Sequence, residues 1–222
     1  MIKRVFLTIC FLTVFAFVPN VYAAPEFATS YDVLYDVDES GTTTVTEKVT
    51  LKNLSSEYYA NQFMLTVGTT KVSDINASDP GGVLNTSLEQ KGNSTTINVK
   101  FNQQVAGIGK TFPWIISFKS RDFAEKVGKV WEVRIPKVSS SVNLESYNLT
   151  LAIPKSFGPP SLISPNPKSQ TTSGDKIFLT FDKQTLQSSG VSANFGTNQL
   201  FDFDLTYHLE NTQLMPILTH IA

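Results

Sequence analysis

The chain is almost free of cysteine, and its one cysteine, Cys10, lies near the N-terminus. The surrounding residues have the parts of a secretory signal peptide: the basic pair Lys3-Arg4, the apolar run 5–18 and the small-residue ending 21–23. We therefore expect cleavage after Ala23 and an exported chain without cysteine. Such a chain has no disulfide, no thiolate metal ligand and no cysteine nucleophile.

Basic charge and long apolar runs are also scarce. The 18 Lys and Arg are balanced by 19 Asp and Glu, so the composition favours neither a nucleic acid nor an anionic membrane as partner. No apolar run after the signal approaches the roughly 18 residues that span a bilayer. We expect a secreted or extracytoplasmic protein, tethered to the membrane only if the signal stays uncleaved. Its expected partner is a protein or a cell-surface glycan.

Export without disulfides is more typical of a bacterial envelope protein than of a small eukaryotic secreted domain. Five Asn-x-Ser/Thr triplets would matter only if the host glycosylates them. They begin at Asn53, Asn76, Asn85, Asn93 and Asn148.

Most of the chain alternates apolar and polar residues, as half-buried β-strands do. The clearest runs begin at Tyr31, Val45, Phe63, Ile97, Phe112, Trp131, Tyr147, Ile177, Val191 and Phe201. This pattern predicts an all-β fold of tandem immunoglobulin-like antiparallel β-sandwiches. One short helix is predicted after Asp122, which has Glu125 three positions on as in a capping box, with Gly128 at the end.

The sequence predicts four segments, of which the last is expected to be an incomplete domain. They are a signal peptide (1–23), a first sandwich domain (24–137), a linker (138–146) and a second sandwich domain (147–222). The Pro- and Ser-rich segment 156–175 is predicted to be a loop. Because the last run, 217–222, reads as a strand with no polar tail after it, we expect an incomplete second sandwich and a longer parent protein.

A calcium loop is one hypothesis for Asp36, Asp38, Ser40 and Glu47, whose spacing nearly matches the twelve-residue calcium-binding loop. Helices flank such loops, whereas strands flank this segment. If the residues between Gly41 and Glu47 are extended, Glu47 lies roughly 20 Å beyond the turn. A β-hairpin with a glycine at positive φ is the favoured interpretation.

Three further motifs have a functional and a structural interpretation. Gly107–Thr111 resembles the end of a phosphate-binding loop, but a strand follows it, which favours a turn. Asp202, Asp204 and His208 could flank an ion or simply form the wet face of a strand. Tyr58 and Tyr59 could form a sugar-binding platform, although strand or core positions are more usual.

Catalytic motifs are missing, since the chain contains neither Gly-x-Ser-x-Gly nor His-Glu-x-x-His and has only two histidines. A pair of carboxylates could still serve a glycosidase, but the acids scatter through turns and wet faces. We therefore predict no catalytic residue, no cofactor and no metal ligand in this chain.

Segments of both halves resemble exported bacterial transglutaminase-like proteins, in the region ahead of their catalytic core. The resemblance covers most of 27–211 and is carried by 43–53, Gly128–Pro136, Gly190–Gly196 and Gln199–Asn211.

The resemblance implies β-sandwich modules outside the membrane, in front of an enzyme or a membrane anchor. In that family a downstream Cys-His-Asp core carries the chemistry, and its residues have no matching positions here. We therefore expect a non-catalytic spacer or recognition region of a transglutaminase-like protein. The alternatives are a free-standing adhesin or carbohydrate-binding module, and a carbohydrate-active enzyme with paired carboxylates.

Overall fold

The structure is a computed structural model that describes residues 25–69, 71–138 and 143–196, and the backbone of 209–210 and 213–214. Within these residues the chain is a β-sandwich with one short α-helix, which confirms the predicted all-β class. The predicted signal peptide and the predicted strand that begins at Phe201 lie outside the described residues. No helix in the described part is long and apolar enough to cross a membrane.

The described strands range from two to thirteen residues, and their bounds follow in chain order. They are β1 (Phe27–Val37), β2 (Thr43–Asn53), β3 (Tyr59–Val67), β4 (Ser73–Asp79), β5 (Gly82–Val83), β6 (Asn85–Lys91), β7 (Ser94–Ala106), β8 (Thr111–Ser120), β9 (Ala124–Val127), β10 (Val130–Ile135), β11 (Leu144–Pro154), β12 (Pro160–Ser164), β13 (Ser169–Ser173), β14 (Lys176–Asp182), β15 (Val191–Phe195), β16 (Leu209–Glu210) and β17 (Gln213–Leu214). A 3₁₀ turn spans Lys155–Phe157, and helix α1 spans Lys183–Ser188.

One large sheet forms a full layer of the sandwich. Its strand order is β13-β14-β11-β1-β2-β8-β4-β5. A three-stranded sheet (β3-β7-β6) and a four-stranded sheet (β12-β15-β10-β9) are hydrogen-bonded separately from it, and β16 pairs with β17.

The two smaller sheets pack on the large sheet. Phe63 of β3 and Phe101 of β7 lie 5.3 and 5.9 Å from the ring of Trp114 in β8, measured between ring centroids. Next to β9, Phe123 makes an edge contact with Tyr35 of β1 at 5.1 Å. The buried apolar side chains form one cluster across these sheets, so a single core supports all three.

Strands from both sides of the predicted linker pair with each other. β1 pairs with β11 over the register Thr29↔Leu144 to Asp36↔Ala152, and β10 pairs with β15. β11 also begins at Leu144, inside the predicted linker 138–146. The two predicted halves are therefore joined by backbone hydrogen bonds.

The β1–β11 pairing is parallel, whereas we predicted antiparallel sheets. A hairpin imposes antiparallel pairing, but a strand that returns to a sheet after a long excursion can enter in either direction. Because β1 and β11 are separated by residues 38–143, no short turn fixes their relative direction.

The short helix exists at a different place from the predicted one. Residues Ala124–Val127 form β9, which folds back on β10 with Val127 opposite Val130 and Gly128 at φ 61°. Asp122 does not cap a helix there: its carboxylate accepts hydrogen bonds from the Thr69 hydroxyl and, at 2.7 Å, from the Lys71 ammonium.

Helix α1 begins instead after Asp182, whose carboxylate accepts the Thr185 N–H at 3.1 Å. Asp182 therefore caps the first turn of this helix. The predicted loop 156–175 also contains two strands, β12 and β13. All five residues of β13 are polar and exposed, so this edge strand has no hydrophobic alternation to reveal it.

Gly190 marks a close approach between two chain segments, and a substitution there tests the packing of the four-stranded sheet. A Cβ at Gly190 would lie 2.2 Å from the Ile135 carbonyl oxygen, with backbone as the obstacle. We expect Gly190→Ala to lower the free energy of unfolding by roughly 1–3 kcal/mol in urea titrations.

Gly81→Ala is the matched control. Its Cβ would meet only the Asp79 side chain, at 3.1 Å, and no backbone atom, so we expect a loss under about 0.5 kcal/mol. Equal losses in the two variants would contradict the packing at Gly190.

Candidate functional site

The structure distinguishes the hairpin interpretation from the calcium-loop hypothesis. β1 and β2 form an antiparallel hairpin, with Gly41 at φ 83°. The Asp38 carboxylate is occupied within the turn, where it accepts the N–H groups of Ser40 at 2.8 Å and Thr42 at 3.0 Å. Glu47 lies four residues inside β2 and faces the core. The hairpin interpretation is confirmed.

The glycine-rich segment is also a turn. It connects β7 to β8, with Gly107 at φ 95° and Gly109 at φ 77°. The Gly109 N–H donates to the Asn53 carbonyl at 2.7 Å. Asp202, Asp204 and His208 lie outside the described residues.

Tyr58 and Tyr59 are each 54% exposed, and β3 begins at Tyr59. They are strand-end residues outside the core. Asn53, the first of the five Asn-x-Ser/Thr asparagines, is fully buried, and its side-chain amide donates to the carbonyls of Tyr58 and Val105. Asn53 is therefore inaccessible to modification in the folded chain, whereas the other four triplet asparagines are exposed.

A cleft of about 540 Å³ lies where the two smaller sheets meet the large sheet. Residues of β1, β2 and β11 line it from the large sheet, the end of β3 from the three-stranded sheet, and 136–138 from the segment after β10. We call it the tyrosine cleft, because Tyr31, Tyr35 and Tyr147 line it together with Glu47.

Glu47 is the one charged side chain that is buried among the described residues, at 6% exposure. Alternation along β2 points it inward, in line with Val45 and Val49, opposite Val33 of β1 and Ile116 of β8. Burial raises the pKa of the Glu47 carboxyl from 4.5 to about 7. No ion pair within the described ranges involves this carboxyl.

The parallel register brings two of the tyrosines side by side. Tyr31 of β1 pairs with Tyr147 of β11, and their ring centroids lie 5.4 Å apart at a tilt of 40°. Tyr35, four residues further along β1, faces the same side and is 6% exposed. Burial raises the pKa of Tyr31 and of Tyr35, and the negative charge of Glu47 raises it further.

Burial also raises the pKa of Tyr147, with smaller contributions from Tyr35, Glu47 and Tyr31. The three phenols therefore keep their protons over the physiological pH range. The cleft combines neutral aromatic rings with one carboxyl group whose charge changes near neutrality. Such a site can bind and orient a ligand and can stabilise positive charge.

One residue of this site, Glu47, is already conspicuous in the sequence. Glu47 was considered as a calcium ligand, but its position in the alternation between Val45 and Val49 already placed a carboxyl on the apolar face of β2. Tyr31 and Tyr35 lie four positions apart in one alternating run and therefore share a strand face, but nothing in the sequence indicates that Tyr31 and Tyr147 meet.

Comparisons with known proteins give only distant likenesses. No family model and no curated protein matches the chain. Among solved structures, an M1 zinc metallopeptidase from Deinococcus radiodurans aligns with 86% of this chain and 45% of its own, at 12% identity and a TM-score of 0.44. Aminopeptidase A from Legionella pneumophila aligns with 88% of this chain and 24% of its own, at 12% identity and a TM-score of 0.44.

A Legionella pneumophila protein described as nutrient-binding aligns with 77% of this chain and 67% of its own, at 9% identity and a TM-score of 0.49. The chain spans less than half the length of the metallopeptidase chains it resembles. No functional argument follows from likenesses at this level.

The buried Glu47 carboxyl predicts an unusual pH dependence of stability. Because its pKa is 4.5 in the ordinary exposed state and about 7 when folded, the folded chain holds the proton more tightly. The contribution of Glu47 to the free energy of unfolding is fully present below about pH 4.5 and is lost as the pH rises through about 7. The total loss is about 3 kcal/mol.

We expect Glu47→Gln to remove this loss and to raise the free energy of unfolding above that of the wild type at pH values above 7, as measured by urea titrations across the pH range. Glu89→Gln, at an exposed position in β6, is the control and should leave the profile unchanged. A Glu47→Gln profile parallel to that of the wild type would contradict the buried carboxyl.

Proposed function

We propose that this chain is a non-catalytic, extracytoplasmic β-sandwich module of a transglutaminase-like protein, and that it recognises a ligand in the tyrosine cleft. The signal-like N-terminus supports export, and the sequence resemblance over 27–211 supports the parentage. The geometry of the cleft supports recognition, and this is the observation that carries the proposal.

The cleft has the size and the support of a binding site. Its volume of about 540 Å³ lies within the range of roughly 300–1,000 Å³ that is usual for small-ligand pockets. Tyr31, Glu47 and Tyr147 stand on paired strands of the large sheet, so the backbone ladder holds their positions. Residues on such strands are placed more accurately than residues on loops.

The same lining argues against the alternative of a carbohydrate-active enzyme with paired carboxylates. Glycosidases place two acids about 5–10 Å apart across the scissile bond. Glu47 is the only Asp or Glu that the described residues contribute to the lining. A carboxyl with a raised pKa could act as a general acid, but the described residues add no second acid to the lining of this cleft.

Binding without turnover is the experimental signature of the proposal. The full chain is titrated with a glutamine-containing peptide, with choline and with cellotetraose, while the tyrosine ring resonances are followed by NMR. We expect at least one probe to shift the rings that line the cleft, with no release of ammonia from the peptide and no hydrolysis of the glycan.

Two variants separate binding in the cleft from binding elsewhere. Thr29 lines the cleft, so Thr29→Trp should fill it and reduce the response by about tenfold. Thr171→Trp, on the exposed edge strand β13, should leave the response unchanged. Turnover of either substrate, or a response to none of the probes, would overturn the proposal.

A further inference from the structure

We propose that the tyrosine cleft binds an organic ammonium cation, with Glu47 as its countercharge and with Tyr31, Tyr35 and Tyr147 as its aromatic surface. This inference rests on the recognition function proposed above and names the chemistry of the ligand. Amines of peptides and lipids and quaternary ammonium groups share this chemistry.

Glu47 places a buried carboxyl on an apolar sheet face. An ionised carboxylate on an apolar sheet face is costly unless a cation or several hydrogen bonds compensate it. Burial raises the pKa of Glu47, and no ion pair within the described ranges includes the Glu47 carboxyl. A bound cation would supply the charge that the described protein does not.

Three tyrosines line the cleft together with this carboxyl. The faces of tyrosine rings attract cations within roughly 6 Å of the ring centroid, and aromatic cages recognise ammonium groups in this way. Tyr31, Tyr35 and Tyr147 line the same cleft as Glu47, and after burial the negative charge of Glu47 contributes to the raised pKa of each of them. The four groups therefore act on the same small volume.

Few charged side chains of the described residues line the cleft. β1 contributes Tyr31 and Tyr35, β11 contributes Tyr147, and the segment after β10 contributes Lys137, which is the only basic side chain that the described residues add to the lining. Lys137 is exposed, so water screens its charge. The buried part of the lining is thus acidic and aromatic, which favours a cation.

A neutral sugar would use the same rings but would not need the acid. Stacking of a sugar on tyrosine depends on ring contact, whereas cation binding depends on the ionised form of Glu47. The two ligand classes therefore differ in their response to pH and to removal of the charge at position 47.

The test compares choline with its neutral tert-butyl analogue, in which carbon replaces the ammonium nitrogen. Calorimetric or NMR titrations of the full chain are made at about pH 8.5 and about pH 5.5, on either side of the Glu47 transition. At the higher pH we expect choline to bind at least about tenfold more tightly than the analogue. At the lower pH, protonation of Glu47 should weaken choline by about tenfold or more.

Substitutions assign the effect to the carboxyl. Glu47→Gln should weaken choline by about tenfold and abolish the pH dependence, while thermal unfolding checks that the variant is folded. Glu89→Gln in the exposed strand β6 should change nothing. Lys137→Met removes the exposed positive charge and should leave choline binding unchanged or tighter.

The outcomes distinguish this inference from the proposed function. Equal binding of choline and its analogue, or full choline affinity in Glu47→Gln, would overturn the ammonium site. If the peptide or cellotetraose shifts the cleft tyrosines and choline does not, recognition stands and the ammonium inference falls. If no probe shifts them, both fall.

Discussion

The parallel pairing of β1 with β11 is the constraint on which the rest of the structure depends. It adds β11, β14 and β13 to the strands that begin with the β1–β2 hairpin and so produces an eight-stranded sheet. A sheet of that width accommodates two smaller sheets on one face. The tyrosine cleft lies where those two sheets meet above β1, β2 and β11, and the same register places Tyr31 beside Tyr147. The site is therefore a direct consequence of the strand order.

Two buried polar residues of β2 show how structural and functional roles differ. Asn53 is fully buried, and its side chain is satisfied by the carbonyls of Tyr58 and Val105 and by the Ser55 N–H at 2.8 Å. Such a satisfied network fixes a chain path. Glu47 stands on the same strand face, but it borders a cleft, and burial dominates its pKa. A carboxyl with a perturbed pKa at the edge of a cleft is a candidate functional group.

Hydrophobic alternation predicts the strands that have one buried face and one face toward solvent. β2, β8 and β14 are of this kind, and their buried residues follow the period of two. β11 alternates less regularly, because all four of its last residues are buried. Alternation fails where burial is absent: β6 and β13 are exposed along their whole length and are held by backbone pairing with β7 and β14. A strand stabilised only by its neighbour leaves no periodic pattern in its own sequence.

Long-range partners decided the features that local sequence could not. Asp122 and Asp182 are both followed by residues that suit a helix, yet Asp122 binds Thr69 and Lys71 while Asp182 caps Thr185. The local capping pattern is not sufficient, because a competing partner in another part of the fold changes the outcome.

Glu47 shows the reverse case, in which a local anomaly is the useful signal. Its neighbours on the inner face of β2 place a carboxyl where an aliphatic side chain would be expected, and that departure can be read from the sequence alone. What the sequence lacks is the identity of the groups across from it. Only the return of the chain at β11 brings Tyr147 to the site. A polar residue on an otherwise apolar strand face is therefore a candidate site that can be found from the sequence alone. The topology then decides which groups surround that residue and which chemistry they allow.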